Sequence, residues 1–371
     1  MRRQLIGLTA AAVFAGLLSG CWDQQLLKDQ RNVSIGGMDL GAGGKLRASV
    51  NVRDITMTET GSKDTSEFHA VIAKTTQHAR GQIDREMAGN YSAAKLRVLL
   101  LGEEMVLNHD VMPYLDVYYR DPKSPLGARV AVAKGKAEEM VKLRKIGEMT
   151  IGLYLDNLLK TYEQESAIPN ITIETLHPLD RGFDFALPYV ANRQGKPTVN
   201  GIAMFDGTRM TGKLNPEESK VYMLLLGKKK DNLRLTLKAI NRERDDGYNF
   251  VTVDVGRIKR KMKVAVSGDG QVSVRLNLKL KVTVIEDPSN RLYRMDVVRK
   301  LERFLSEQLT DRSRQVVGKM QKARHDGFGI ARTLMARHPK AWKGMEWKEE
   351  YPHIAFDTSV SVQIANTGIT R

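Results

Sequence analysis

Strict alternation of apolar and polar residues predicts strands near both ends of the chain. Apolar residues occupy every second position of 46–53, and the turn Gly41-Ala42-Gly43-Gly44 joins this segment to the stretch 33–40. A period of two is typical of a half-buried strand, so the two segments are predicted to form a hairpin. The segment 354–364 alternates in the same way and predicts a closing strand.

A spacing of three to four between apolar residues predicts helices elsewhere. The longest is opened by Pro288-Ser289 and continues to about residue 320 with one apolar stripe. Another begins at Asn215-Pro216, where a capping Asn precedes a Pro in the first turn, and it ends at Gly227. Shorter helices are predicted over 83–94, 103–108, 111–119, 137–143, 150–162 and 330–337.

The remaining strands decide the fold class. They are predicted over 68–74, 96–101, 129–134, 199–205, 209–213, 250–255, 262–266 and 272–284. Strands interspersed with helices predict a multi-domain α+β protein with mixed and antiparallel sheets, a long helix in its C-terminal domain and a closing C-terminal strand. A polar stretch with Gly and Pro at 192–197 marks a boundary. The predicted units are an N-terminal α+β domain at 22–195, a small middle unit at 196–230 and a C-terminal α+β domain at 231–371.

The first twenty residues predict a signal peptide, 1–20, rather than part of the fold. Arg2 and Arg3 precede an uncharged apolar run at 5–18, which is shorter than the roughly 20 residues that span a bilayer. Leu18-Ser19-Gly20-Cys21 is similar to a bacterial lipobox, in which the cysteine is acylated before the signal is removed. Cys21 is the only cysteine in the chain. The alternative is an ordinary cleaved signal peptide with a cysteine at this position by chance.

Acylation of Cys21 predicts a body that is tethered to one face of a membrane. Each buried acyl CH₂ contributes about 0.8 kcal/mol, so two or three chains hold a protein on a membrane almost permanently. No later segment has 18 consecutive apolar residues, so the sequence predicts no transmembrane helix.

The net charge of the chain indicates which kinds of molecule it is expected to bind. The formal net charge is +16, and it falls to +14 when Arg2 and Arg3 leave with the signal peptide. A basic balance indicates anionic lipid headgroups, acidic partners or nucleic acid, and export disfavours nucleic acid. The alternative is a charge that only keeps the body soluble. The predicted strands after residue 250 form a sheet with one wet, basic face that includes Arg257, Lys259, Arg260, Lys261, Lys263, Arg275, Lys279 and Lys281.

The sequence offers no recognisable constellation for catalysis, a cofactor or a metal. With Cys21 acylated no thiol remains, and neither a His-Glu-x-x-His pair nor a Gly-x-Ser-x-Gly elbow occurs. Dispersed carboxylates, or a metal held by His69, His109 and distant acids, stay open as alternatives. Trp342 and Trp347 are predicted to lie in the core rather than at an interface, since the adjoining sequence leads into a buried strand.

Three runs of residues together resemble the Ger(x)C family, the lipoprotein C subunits of spore nutrient germinant receptors. The first run is Cys21-Trp22-Asp23 followed by Ile35-Gly36-Gly37-Met38-Asp39, although Gln24-Gln25-Leu26-Leu27 lacks the Glu that is usual in the family. The second run comprises Gly201-Ile202-Ala203-Met204-Phe205, Gly212-Lys213-Leu214 and Glu217-Glu218-Ser219. The third comprises Asp326-Gly327-Phe328-Gly329, Pro339, Trp342, Trp347 and the ending Asn366-Thr367-Gly368.

The resemblance implies a three-domain α+β lipoprotein that is anchored through acylated Cys21 on the outer face of the inner spore membrane. It implies action beside two integral-membrane subunits, of A and B type, in germination triggered by nutrients. It implies no catalytic residues. The candidate contact surfaces are the basic face at 257–281 and the outer face of the helix at 290–320, and charge reversal at Lys259, Lys261 and Lys263 is predicted to weaken assembly.

Two other function classes are weighed beside this one. A solute-binding lipoprotein that feeds a membrane transporter is expected to have two parallel-sheet lobes, and the antiparallel pattern at 250–284 disfavours it. A surface hydrolase would need the catalytic constellation that the sequence does not show.

Overall fold

A computed structural model describes residues 30–58, 61–176, 184–239, 246–289 and 291–367. The predicted signal peptide, Cys21, Trp22 and Asp23 lie outside the described residues. The strands are β1 Gln30–Leu40, β2 Leu46–Thr58, β3 Gly61–Ala73, β4 Asn90–Ser92, β5 Val98–Gly102, β6 Arg129–Ala133, β7 Lys145–Ile146, β8 Met149–Thr150, β9 Ala186–Arg193, β10 Lys196–Asp206, β11 Arg209–Leu214, β12 Arg234–Lys238, β13 Phe250–Val266, β14 Val272–Glu286 and β15 Ala355–Asn366. The helices are α1 Thr76–Asp84, α2 Glu103–Asn108, α3 Met112–Arg120, α4 Ala137–Val141, α5 Ile151–Gln164, α6 Pro216–Leu226, α7 Met295–Lys322, α8 Ile330–Arg337, α9 Pro339–Trp342 and α10 Trp347–Glu350.

A nine-stranded mixed sheet forms the first layer of the molecule. Its order is β11-β10-β9-β6-β5-β1-β2-β3, with β4 paired to β1. The centre is parallel, because β1, β5, β6 and β9 run in one direction, and both flanks are antiparallel. β5 and β6 are continuous apolar runs that are buried on both faces, which is typical of central parallel strands. The predicted hairpin at 33–53 is confirmed as β1 and β2.

A four-stranded sheet in the order β12-β13-β14-β15 forms the second layer. β15 returns parallel to β14, and α7 packs along the sheet through hydrogen bonds such as Val360 N to Thr310 Oγ1. α7 begins at Met295, later than Pro288-Ser289, and keeps the predicted apolar stripe, with Leu305 and Leu309 fully buried. The predicted α+β class, the long helix and the closing strand are confirmed.

Apolar residues on the two faces of the nine-stranded sheet enter different cores. Leu99 and Leu101 of β5 pack with residues of α1, α2 and α3 on one face. Val98 and Leu100 pack on the other face into a core that continues through α5 and α6 to the four-stranded sheet. This shared core joins the two layers.

Two local predictions are wrong. A helix was predicted over 83–94, but the helix in this region, α1, lies earlier, at Thr76–Asp84. It begins after Thr75, whose side chain accepts a hydrogen bond from His78 N. Gly89 has a φ of 126°, so the chain cannot continue as a helix there, and β4 follows. The strands predicted over 250–255 and 262–266 are one strand, β13, with a bulge around Gly256.

The predicted boundary at residue 195 falls in the turn of the hairpin formed by β9 and β10. Gln194 and Gly195 both have positive φ values, 53° and 80°, as a tight hairpin turn requires. Strands from both sides of the turn pair within the nine-stranded sheet. The division into domains stays a prediction. Among the described residues no helix combines the length and apolar character needed to cross a membrane.

Candidate functional site

The histidines considered as metal ligands do not form a metal centre in the described part of the chain. His69 lies beside two carboxylates, with Nε2 at 3.2 Å from Glu67 Oε1 and Nδ1 at 3.6 Å from Glu86 Oε2. His109 follows the end of α2. Over the described ranges, no group of three or more His, Cys, Asp or Glu residues is arranged to hold an ion.

Asp39, from the first run of the resemblance, caps helix α4. Its side chain is almost fully buried, and its two oxygens accept hydrogen bonds from Ala137 N and Glu138 N, each at 2.8 Å. Burial raises the pKa of Asp39, while these backbone donors act in the opposite direction. Arg47, paired across the hairpin with Asp39, donates twice to Glu138. The acidic residue of this run therefore fixes a helix to the sheet.

The glycines around Asp39 permit this close packing. A Cβ on Gly37 would lie 2.6 Å from Ser49 Oγ and 3.2 Å from Ala137 Cβ, so α4 can approach β1 only where a side chain is missing. A Cβ on Gly102 would overlap the Asp39 carboxylate. Close backbone packing explains why glycines occupy these positions.

The second and third runs meet at one buried polar group, which we call the junction cluster and define as Asp184, Phe205, Tyr222, His325 and Asp326. His325 is fully buried, with Nδ1 at 2.8 Å from Phe205 O and Nε2 at 3.0 Å from Tyr222 Oη. A carbonyl oxygen only accepts, so Nδ1 carries the proton and Nε2 accepts from the Tyr222 hydroxyl. Burial lowers the pKa of His325 to about 4, so the imidazole is neutral at pH 7.

Asp326 caps helix α8 in the same way that Asp39 caps α4. Its oxygens accept from Ile330 N at 2.9 Å and Ala331 N at 2.7 Å, and its own N–H donates to Asp184 Oδ2 at 2.7 Å. Burial raises the pKa of Asp326 to about 7 against the opposing effect of these donors. Burial also raises the pKa of Asp184.

Sequence reasoning did not single out His325, Tyr222 or Asp184. The available signal was the place of His325 directly before the Asp-Gly-Phe-Gly run. Its partners lie 103 and 120 residues earlier in the chain. Such distant partners have no spacing that a sequence pattern can show.

Further contacts of the second run fasten the β10–β11 hairpin and α6 to α7. Thr211 Oγ1 donates to Ala323 O, and Glu218 forms an ion pair with Lys319 at 2.6 Å. A Cβ on Gly212 would lie 2.8 Å from Ala323 Cβ. The residues that resemble the family therefore hold the two layers of the molecule together.

Trp342 and Trp347 lie in two short helices, α9 and α10. Both are half-buried against the shared core, with ring centroids 6.0 Å apart. Trp347 also lies 5.5 Å from the ring of Tyr351, whose hydroxyl donates to His325 O. These aromatic residues therefore pack against the junction cluster.

The predicted basic face is formed by β13 and β14, with one exception. Arg260 points to the opposite face, where its Nε donates to Leu225 O at 2.6 Å and its guanidinium lies over the ring of Phe328. The bulge at Gly256 restarts the alternation at Arg257, which places odd-numbered residues outside. The remaining seven predicted residues, Arg257, Lys259, Lys261, Lys263, Arg275, Lys279 and Lys281, are exposed.

An open cavity of about 760 Å³ lies between α1, β4 and the loop that follows α3. Polar side chains line it, among them Gln77, Asp84 and Arg80. Arg80 is nonetheless buried, with Nη1 donating to Asp121 Oδ2 and its guanidinium over the ring of Tyr118. Asp84 accepts from Tyr91 N. These charged groups are engaged in holding the local structure.

Two family models match the chain in succession. The one described as "Spore germination protein N-terminal domain" matches residues 23–191. The one described as "Spore germination B3/ GerAC like, C-terminal" matches residues 200–368. The first ends and the second begins in the hairpin of β9 and β10.

Similar curated proteins come from Bacillus. "Spore germination protein GerQC" of Bacillus cereus is 22% identical over 370 residues, which cover 97% of this chain and 98% of that protein. "Spore germination protein B3" of Bacillus subtilis strain 168 is 21% identical, and the match covers 74% of each chain. A solved structure, "Crystal Structure of the GerBC protein", has a TM-score of 0.56 and 18% identity over 93% of this chain and all of that one. The likeness shows a shared fold.

Proposed function

The chain belongs to the Ger(x)C family of spore germination proteins, and on that premise we propose that it is a membrane-anchored, non-enzymatic subunit of a nutrient germinant receptor. The observation that carries the proposal is the succession of the two family models over 23–191 and 200–368. The resemblance stated from the sequence is thereby confirmed.

The proposed anchor is a diacylglycerol on Cys21. The lipobox pattern ends on the only cysteine of the chain, and Cys21 precedes β1 by nine residues, which span at most about 30 Å when extended. An anchor there keeps the folded body close to the membrane surface. Metabolic labelling with a radioactive fatty acid is expected to mark the wild-type chain and not the Cys21→Ser variant. Equal labelling of both would remove the anchor from the proposal.

The non-enzymatic role is supported by what the acidic and imidazole groups do. Asp39 and Asp326 cap helices, and His325 bridges a tyrosine and a carbonyl inside the protein. A general acid or base must reach a substrate proton, and these groups are buried and already bonded. The proposed subunit works through contacts with A-type and B-type integral-membrane subunits.

Co-purification tests this role. A C-terminal tag, gentle solubilisation of spore inner membranes and mass spectrometry are expected to recover two polytopic membrane proteins in a fixed ratio to the tagged chain. The Cys21→Ser variant is the matched control for anchorage, since it alters no described residue. Recovery of the tagged chain alone, or with a permease and an ATPase, would reject the receptor role and favour the solute-binding alternative.

A further inference from the structure

Seven cationic side chains form a continuous strip on the outer face of the four-stranded sheet. We call this strip the cationic ladder, and it comprises Arg257, Lys259, Lys261 and Lys263 of β13 with Arg275, Lys279 and Lys281 of β14. Three of its rungs are like-charge pairs in direct register: Arg257 opposite Lys281, Lys259 opposite Lys279, and Lys263 opposite Arg275. The apolar residues between them point to the other face, toward the core.

Repulsion between the charges of the ladder destabilises the sheet that carries it. Residues directly opposite each other in an antiparallel pair have Cβ atoms about 5 Å apart, and like charges at that distance are destabilising. Of the seven ladder residues only Arg275 has an ion-pair partner within the described part of the chain, Asp357 of β15 at 2.9 Å. Farther along this face, the carboxylates of Asp254 and Glu286 accept hydrogen bonds from Leu233 N and Thr252 Oγ1. The charge is therefore concentrated rather than neutralised.

The surroundings of the ladder indicate a diffuse anionic surface rather than a protein partner. Stable protein interfaces are built around buried aromatic or aliphatic anchors, and lysine is depleted in them. Lysine occupies five of the seven ladder positions, and the residue opposite Lys261 is the polar Asn277. The neighbouring residues of β15 on this face are small or polar: Ser359, Ser361 and Gln363.

We propose that the cationic ladder docks the folded body on anionic phospholipid headgroups and so sets which face turns toward the membrane. The ladder is about 20 Å long at 3.4 Å per residue, so several headgroups fit along it. Neighbouring rungs lie about 7 Å apart, within the Debye length of about 8 Å at physiological salt, so the ladder presents one continuous band of charge to an anionic surface. The proposal rests on the proposed function only for the presence of a membrane beside the body.

Vesicle binding of an acyl-free chain tests the ladder without any partner subunit. The chain from residue 21 onward with Cys21→Ser keeps every described element and cannot be acylated. It is expected to sediment with phosphatidylglycerol vesicles and to be released from them by high salt. It is not expected to sediment with pure phosphatidylcholine vesicles. Each lysine near an anionic surface strengthens binding about fivefold, so replacing Lys259, Lys261, Lys279 and Lys281 by Gln is expected to weaken binding several hundredfold.

A matched variant keeps the test specific. Replacing Lys300, Lys322, Lys340 and Lys343 by Gln removes the same charge from exposed positions outside the ladder and is expected to leave more of the binding in place. Thermal unfolding shows whether each variant is folded. Equal losses in the two variants, or unchanged binding by the ladder variant, would overturn the proposal. Failure of the acyl-free chain with an intact ladder to bind phosphatidylglycerol vesicles would also overturn the proposal and would leave an acidic protein as the partner. The co-purification experiment tests the receptor role separately.

Discussion

Replacing Tyr222 by Phe isolates one hydrogen bond of the junction cluster. The ring stays, and only the hydroxyl that donates to His325 Nε2 at 3.0 Å is removed. Phe205 O holds the imidazole proton on Nδ1, so Nε2 cannot become a donor without the ring becoming charged. Burial disfavours that charge, since it lowers the pKa of His325 to about 4. The variant therefore leaves a buried acceptor without a partner.

The expected cost follows from that geometry. An unsatisfied buried acceptor costs about 1–3 kcal/mol, whereas a solvated one costs little because water replaces the partner. His325 is 0% exposed, so water does not reach Nε2 unless the packing opens. The free energy of unfolding is therefore expected to fall by about 1–3 kcal/mol, with the denaturant midpoint shifting and the slope unchanged.

Tryptophan fluorescence during guanidinium unfolding is the suitable assay. Trp342 and Trp347 pack beside the junction cluster, and Trp347 lies 5.5 Å from the Tyr351 ring, so they report on this part of the molecule. A Trp22→Phe background removes the third indole. Tyr154→Phe is the matched control, because the hydroxyl of this half-buried residue makes no hydrogen bond to the described residues. A Tyr222→Phe variant as stable as wild type, or a control that loses as much, would refute the reasoning.

Three further predictions concern other parts of the fold. Arg129→Met is expected to lower the free energy of unfolding by about 3–5 kcal/mol in a denaturant titration, because Glu163, which is only 2% exposed, loses its bidentate partner. A loss below about 1 kcal/mol would contradict this prediction. Gly201→Ala is expected to cost about 3–5 kcal/mol in the same titration, since φ is +111° and the new Cβ would overlap Leu214 O, and near-wild-type stability would refute the strain. Asp326 binds its proton more tightly in the folded protein, with a pKa of about 7 against the ordinary 3.8. Its contribution to the free energy of unfolding is therefore full below about pH 4 and is lost as pH rises through 7. Asp326→Asn is expected to flatten that decline in unfolding curves recorded at several pH values, and an unchanged slope would count against this prediction.

Local patterns predicted the elements whose burial repeats regularly. β2, α7 and β15 each present one apolar face, and α6 begins at Asn215-Pro216 and ends at a left-handed Gly227, as the sequence predicts. The helix predicted over 83–94 failed because its apolar spacing continues past Gly89, where backbone conformation decides instead. The junction cluster depends on partners more than 100 residues apart, which periodicity does not report. Arg260 was predicted on the basic face, although it alternates with Ile258 and Met262 on the inner face once the bulge at Gly256 has shifted the register.

The central place of β1 has a mechanical consequence. β1 is the first strand among the described residues, yet it lies inside the nine-stranded sheet, with β2 on one side and β4 and β5 on the other. Tension that enters the chain ahead of Gln30 acts along this strand and must shear hydrogen bonds on both sides at once. An edge strand such as β11 has a neighbour on one side only and would resist the same pull with fewer bonds. The body is therefore built to resist being pulled apart through its N-terminal end, which is the end that the proposed lipid would hold.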